Sequence, residues 1–419
     1  MRVSSSLVFQ TGLNTINKQQ SDLMHLYQQI GTGQKMVTPA DDPLGASQAI
    51  NLSQSQAQNV RYADNRAVAN QNLGTEEDAL SSLTLLLQDV RTRLVEIGNG
   101  TLSDADRGTL AGILRQAQAT ALGIANTTDG NGQYLFSGSR GDIPAYDANG
   151  NYDGDSLQRL IQADQTRRIA GGDVGSDVFQ RAQPGTRDYL SAADAGNNGT
   201  AILGRAAIAD YAQGNADAKF SFDIQFDATG NNYTVTATAL AADPAATPPI
   251  AVGDVVTTTH AWTPGQKSLD LGVGTTLEIN GEPAANDQFT AEPLKHSTGL
   301  NLFQAMGALA DALEQPIQGD QTASTSLRNL MNTTSQTLAT LYDNVLTVRA
   351  SVGSRMNELT ALNNTGAQRN LGYAAALSGI EDLDYYEATT QLSLRKMALE
   401  GAGLAFQTIQ GLSLFNRGK

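Results

Sequence analysis

The sequence predicts a mainly α protein. Two helical arms pair as an antiparallel coiled coil or helix bundle into a rod, and a β-rich head is inserted between them. Three observations predict this. Pro39 and Pro43 stand near the start and the other prolines lie between Pro144 and Pro316, so residues 44–143 and 317–419 contain none. Proline breaks helix interiors, so both stretches are free to be helical. Within both, apolar residues recur every three and four positions, whereas in the middle the period drops to two.

The first arm opens with Phe9, Leu13, Ile16, Gln20, Leu23, Tyr27 and Ile30, a heptad seam with one polar intruder. Asp42 followed by Pro43 reads as an N-cap with proline at the first helical position, and Asp41 adds negative charge near the positive helix end. Next comes the seam Leu73, Glu76, Leu80, Leu83, Leu87, Val90, Leu94 and Ile97. A single helix over 43–98 would be about 80 Å long. A shorter helix follows, opened by Ser103 as N-cap with Asp104 and Asp106 in its first turn.

The second arm carries Leu327, Met331, Thr334, Leu338, Leu341, Val345, Val348, Val352, Arg355, Leu359 and Leu362 at the same spacing. The last helix differs. One row runs Leu383, Thr390, Leu394, Met397 and Leu404, and another runs Tyr385, Leu392, Leu399 and Phe406. Two positions turn a helix by about 200°, so the rows lie on opposite faces. A helix apolar on two sides is buried on two sides, here against its N-terminal partner and against neighbouring subunits.

In the middle, "KFSFDIQFDATGNNYTVTATA" (Lys219–Ala239) reads as a hairpin turning at Gly230–Asn232. "TLEINGEPAANDQFTAE" (Thr276–Glu292) reads as a second strand pair with an Asn-Gly turn at Asn280–Gly281. "ALAADPAATPPIAVGD" (Ala239–Asp254) is a Pro/Ala loop.

Composition excludes several functions. The net charge is −15 and argues against nucleic acid or an anionic membrane surface as partner. Residues 141–297 hold most of it, with 20 acidic and 9 basic side chains. There is no cysteine, and His25, His260 and His296 share no metal-ligand spacing. No run approaches the ~18 apolar residues of a membrane span, and no cleavable secretory signal is visible at "MRVSSSLVFQTG". "YDANGNYDGDS" (Tyr146–Ser156) imitates a calcium loop, but Tyr152 replaces the required Gly and Gln158 the closing Glu. "GTGQK" (Gly31–Lys35) lacks the spacing of a phosphate loop. No catalytic, cofactor or metal site is expected.

"TGQKMVTPADDPLGASQAI" resembles the helix-to-helix connection shared by bacterial flagellins and flagellar hook-associated proteins. "GNGTLSDADRGTL" (Gly98–Leu110), "NTTDGNGQYLFSGS" (Asn126–Ser139), "NVLTVRASVGSRMNELTALN" (Asn344–Asn363) and "GLSLFNR" (Gly411–Arg417) extend the likeness over both arms. The resemblance implies a non-enzymatic structural adaptor that forms a ring of subunits at the hook–filament junction, with flagellin itself as the alternative. It also implies export through a type III apparatus without a cleaved signal, and an extracellular place in the flagellum. Its partners would be hook-associated protein 1, flagellin, further copies of itself and a cytoplasmic export chaperone, without nucleic acid or membrane. Contacts to subunits and partners are expected at Phe9, Leu13, Ile16, Leu23, Tyr27 and Ile30, and at Leu392, Leu394, Met397, Leu399, Leu404 and Phe406. The chain then divides into a pairing N-terminal helix (1–42) and the N-terminal half of the rod (43–140). A head follows (141–297, taken whole or as two parts, 141–183 and 184–297), then the C-terminal half of the rod (298–366) and a terminal helix (367–419).

Overall fold

A computed structural model describes residues 5–98, 102–211, 215, 217–244, 249–297 and 299–415. Met1–Ser4 of the opening, residues 99–101 of the Gly98–Leu110 stretch, 245–248 of the Pro/Ala loop, and Asn416 and Arg417 of the ending lie outside the described residues. The chain forms two compact units. One comprises Met1–Asn65, Ala163–Gln165 and Thr360–Lys419, the other Arg66–Gln162 and Thr166–Leu359. Two long helices, α2 (Pro43–Ile97) and α6 (Gln321–Glu381), contribute to both.

In the larger unit the two seams are core. On α2, Leu73, Leu80, Leu83, Leu87, Val90, Leu94 and Ile97 are all buried, as are Leu338, Leu341, Val345, Val352 and Leu359 on α6. The helices run antiparallel there: Arg349 Nε donates to Glu77 Oε1 at 2.9 Å, and Gln88 Nε2 to the Tyr342 hydroxyl at 2.8 Å. Each fully buried leucine contributes about 1.5–3 kcal/mol, so the seam rather than helix propensity holds these helices.

Two shorter helices pack together beside them. For α3 (Asp104–Ala125), Ser103 caps the first turn in a capping box with Asp106. For α5 (Leu302–Glu314), the Asn301 side chain accepts from Phe303 N and Gln304 N. Arg115 of α3 binds both Glu314 and Asp311 of α5, at 2.9 and 2.7 Å. No helix follows α3 until Gly175, and Asn126–Arg159 folds as turns around an aromatic node. Tyr146 and Phe303 lie with ring centroids 4.6 Å apart, and Phe179 touches both. Asp147, in the stretch that imitates a calcium loop, accepts from the amides of Asn149 and Asn151, which makes it a turn anchor.

The head contains a hairpin of β1 (Leu160–Gln162) and β2 (Arg168–Ala170), the short α4 (Gly175–Phe179), and two antiparallel sheets. Five strands pair in the order β3 (Tyr189–Ala193), β10 (Gln288–Pro293), β5 (Phe220–Phe226), β6 (Asn232–Ala239) and β7 (Val255–Ala261). Three pair in the order β4 (Ile202–Ile208), β9 (Thr275–Asn280) and β8 (Ser268–Asp270). Alternate residues Phe220, Phe222, Ile224 and Phe226 point inward with Tyr233, Val235, Leu277, Ile279 and Phe289, forming one apolar core between the sheets.

The hairpin expected over Lys219–Ala239 forms, as β5 and β6. The strand pair expected over Thr276–Glu292 does not. Its halves, β9 and β10, belong to different sheets: β9 pairs with β4 and β8, and β10 with β3 and β5. Gly281 does turn the chain, with φ of 101°. A tight two-residue hairpin is prevented because the next six residues are taken up by other bonds. Thr200 N donates to Glu282 O, and Asp287 accepts from the amides of Asn198, Gly199 and Ala284. Helix α6 runs unbroken through residues 366 and 367 to Glu381, and α7 begins at Tyr385.

Helix α6 also replaces missing strands at two sheet edges. Asn329 donates from Nδ2 to Ala201 O (2.9 Å) and accepts at Oδ1 from Leu203 N (2.8 Å), while Asn332 Nδ2 donates to Leu203 O (3.0 Å). On the β3 edge, Thr333 Oγ1 donates to Ser191 O (2.7 Å) and Gln336 Oε1 accepts from Ser191 N (3.3 Å). These residues share one helix face at i, i+3, i+4 and i+7 spacing. Replacing Asn329 with alanine leaves the buried Leu203 N of β4 and the buried Ala201 O just before it unmatched. We expect a loss of about 2–4 kcal/mol, read as a lower urea midpoint, against under about 1 kcal/mol for a solvent-facing asparagine such as Asn357.

Polar residues at seam positions meet in a buried cluster. Glu76 of α2 accepts from the backbone N of Asp173 at 3.1 Å, and Arg355 of α6 binds the Asp173 carboxylate. Arg355 Nη1 also donates to Ala170 O at 3.3 Å. Glu76 is fully buried and its Oε2 has no hydrogen-bond partner among the described residues. Burial, reinforced by the nearby Asp173 charge, pushes its carboxyl up to about 8.

Candidate functional site: the terminal helix pair

Within the smaller unit, α1 (Ser5–Thr32) lies against α7 (Tyr385–Phe415). The inner face of α1 is Ile16, Leu23, Leu26 and Ile30, with Leu26 the most buried at 5 % exposure. The inner face of α7 is Ala388, Leu392, Leu399 and Phe406. Phe9 packs against Phe406 with ring centroids 5.0 Å apart and the rings tilted by 40°, and a Cβ at Gly12 would come within 3.0 Å of the Phe406 ring. Asp22 and Arg395 bridge the two helices at 3.0 Å.

The outer surface is unusual for two helices packed on each other. Leu394, Met397 and Leu404 on α7 are 58, 58 and 67 % exposed, and on α1 Met24 and Tyr27 are 60 and 50 % exposed. Of the sequence-selected residues, Ile16, Leu23, Ile30, Leu392, Leu399 and Phe406 line the helix–helix interface. Phe9 and Leu13 lie at its edge, while Tyr27, Leu394, Met397 and Leu404 face away. Leu26 was legible only as Leu23 plus three. Leu26 lies three positions after Leu23 and four before Ile30, which puts it on the flank of the face those two residues share.

The ends of the pair are fastened by the two connections. Gly33, at φ of 73°, ends α1, and its carbonyl accepts from Leu383 N at 3.0 Å, while Lys35 N donates to Glu381 O at 2.7 Å. Asp42 Oδ1 accepts from Gly45 N at 2.9 Å, the third residue of a helix that starts at Pro43. Asp41 acts on the connection rather than on the helix end. It accepts from Thr38 N and Val37 N at 2.8 and 2.9 Å and contacts His25 Nε2 at 3.0 Å. The Thr38 amide, with His25 and the Val37 amide, holds the Asp41 carboxyl below the usual carboxylate range. The "ADDP" carboxylates therefore divide their work: one caps α2 and one ties the connection back to α1.

No group of three or more metal-ligating side chains occurs among the described residues. The chemistry that this pair supports is apolar contact along an exposed stripe. Residues 3–140 match the family described as the bacterial flagellin N-terminal helical region. Flagellar hook-associated protein 3 of Salmonella typhimurium is 26% identical over 416 residues, 99% of each chain. That of Escherichia coli is 27% identical over 420 residues, 100% of each. Along its whole length, the chain resembles flagellar hook-associated protein 3. The crystal structure of FlgL from Xanthomonas campestris shares the fold at a TM-score of 0.62 and 23% identity, covering 78% of this chain and 99% of its own. Flagellar hook-associated protein-3 from Legionella pneumophila does so equally, at 0.62 and 23%, covering 78% and 98%. Long terminal helices around a β-rich middle are thus common to hook-associated protein 3 and this chain. Likeness to B-type flagellin of Pseudomonas aeruginosa, 33% over 133 residues, is confined to 31% of the chain.

Proposed function

We propose that this chain is a structural adaptor of the bacterial flagellum that joins hook to filament as a ring of subunits at their junction. The observation that carries this reading is the end-to-end similarity to flagellar hook-associated protein 3, over 99–100% of both chains. A second supports it: the α1–α7 pair buries one apolar row of α7 and leaves Leu394, Met397 and Leu404 open, the arrangement expected of a helix that awaits neighbouring subunits. Hook-associated protein 1 on the hook side and flagellin on the filament side are the proposed neighbours. A cytoplasmic export chaperone would take α7 as an amphipathic helix in a groove before assembly. The role is non-enzymatic and extracellular, reached by type III export. Segments 1–42 and 367–419 are the proposed assembly segments, 43–140 and 298–366 the proposed connecting helical part, and 141–297 the proposed head.

Electron microscopy of cells lacking this chain, with flagellin measured in the medium, tests the reading. Bare hooks with free flagellin in the medium are expected. Filaments still attached to hooks would overturn it, and loss of filaments with no flagellin anywhere would favour the filament-subunit alternative.

A further inference from the structure

Of the two outer edges of the five-stranded sheet, one is closed and one is open. At the β3 edge Ser191 N and O are bonded by Gln336 and Thr333 of α6, and at the β4 edge of the smaller sheet Leu203 N and O are bonded by Asn329 and Asn332. β8 is an edge of only three residues and carries Asp270. β7, in contrast, is a seven-residue edge, Val255-Val256-Thr257-Thr258-Thr259-His260-Ala261, paired on one side with β6. It contains no Lys, Arg, Asp, Glu or Pro, the residues by which sheet edges are normally protected. Val255 and Val256 are 57 and 47 % exposed.

The register says which backbone groups face outward. Ala239 N donates to Asp254 O (2.8 Å) and Trp262 N to Asn231 O (2.7 Å), so the even-numbered residues 254–262 bond to β6. Val255, Thr257, Thr259 and Ala261 therefore turn their N–H and C=O away from it, and among the described residues no hydrogen bond reaches them.

The geometry points to β7 as a pairing edge for the β7 of a second copy of this chain, antiparallel and centred on Thr258. In that register Thr257 faces Thr259 and Val255 faces Ala261, and all eight outward groups of each strand find partners, because every outward residue meets an outward residue. Val256 faces His260, and Thr258 faces itself. No like charges are set opposite each other, although the chain carries −15 in all. A slip by one residue would set outward groups against residues already bonded to β6, and a slip by two would leave an end residue of each strand without a partner in the other, so the register centred on Thr258 satisfies the most outward groups. A second copy suits this edge because the strand is its own complement. The pairing stands apart from the junction reading, which concerns the terminal helices.

The chain has no cysteine, which permits a direct test on the full-length protein. Thr258→Cys places the new thiols opposite each other in a non-hydrogen-bonded pair, where Cα atoms lie about 4.5 Å apart, within disulfide range. Val255→Cys is more exposed but faces Ala261. Under mild oxidation Thr258→Cys is expected to form covalent dimers at least about tenfold faster than Val255→Cys, since pairing raises the effective concentration at that position alone. Adding Thr257→Pro, which removes an outward N–H and leaves the β6 ladder intact, should bring the rate down to the Val255→Cys level. Circular dichroism confirms that each variant keeps its fold. Equal rates at 255 and 258 overturn the proposal, as does linkage of Thr258→Cys in cells to a different protein instead of to itself.

Discussion

Replacing Arg355 with methionine is expected to destabilise the larger unit by about 3–5 kcal/mol, because it removes the cation that pairs with Asp173 and leaves that largely buried carboxylate without its counter-charge beside Glu76. Methionine fills a similar volume, so the loss is electrostatic rather than a cavity. The partner variant is Glu76→Gln, which keeps an oxygen for Asp173 N and adds an amide to replace the buried carboxyl. Its effect depends on pH, and the sign follows from the raised carboxyl. Glu76 holds its proton in the fold up to about 8, whereas the unfolded chain releases it near 4.5. Between those values the folded state binds more protons. Its stability is therefore fully present below 4.5 and falls as pH rises toward 8, by up to about 1.4 kcal/mol per unit from this group. Urea midpoints measured from pH 5 to 8 should decline more steeply in the unaltered chain than in Glu76→Gln. Parallel pH profiles for the two proteins would remove Glu76 from the account.

The second large effect concerns assembly rather than folding. Leu394→Asp combined with Leu404→Asp puts charge on the row of α7 that faces away from α1, where both side chains are more than half exposed. The isolated chain should keep its helicity and its unfolding free energy within about 0.5 kcal/mol of the original. Cells carrying it should nevertheless show bare hooks and release flagellin, since charge at the centre of an apolar contact abolishes it. Phe406→Asp is the contrasting variant: it strikes the face against Phe9 and should loosen the helix pair itself, seen as lost helical signal. If the double variant assembles normally, the outer row of α7 takes no part in assembly.

Legibility in the sequence followed distance along the chain. The helices, the Asp42–Pro43 start, the Ser103 cap and the β5–β6 hairpin were all readable, because each depends on residues within one or two turns or one short loop of each other. Glu76 and Arg355 were also visible, but only as polar intruders in apolar seams. That they meet over Asp173 required the fold to bring residues 76, 173 and 355 together. The polar face Asn329, Asn332, Thr333 and Gln336 was masked by the apolar seam on the same helix, and nothing local indicated that strand edges would lie on it.

By itself the sequence determined the long helical arms, the Asp42 and Ser103 caps, the β5–β6 hairpin and the two apolar rows of α7, since hydrophobic period and capping chemistry are properties of a single segment. Only the tertiary structure decided which strands became neighbours, sending β9 and β10 to different sheets, which row of α7 met α1, and which edge remained open. The physical reason is that a strand or helix face specifies that it must be covered, not by what. The choice among coverings is made by backbone groups and side chains that lie scores of residues away and are satisfied together or not at all.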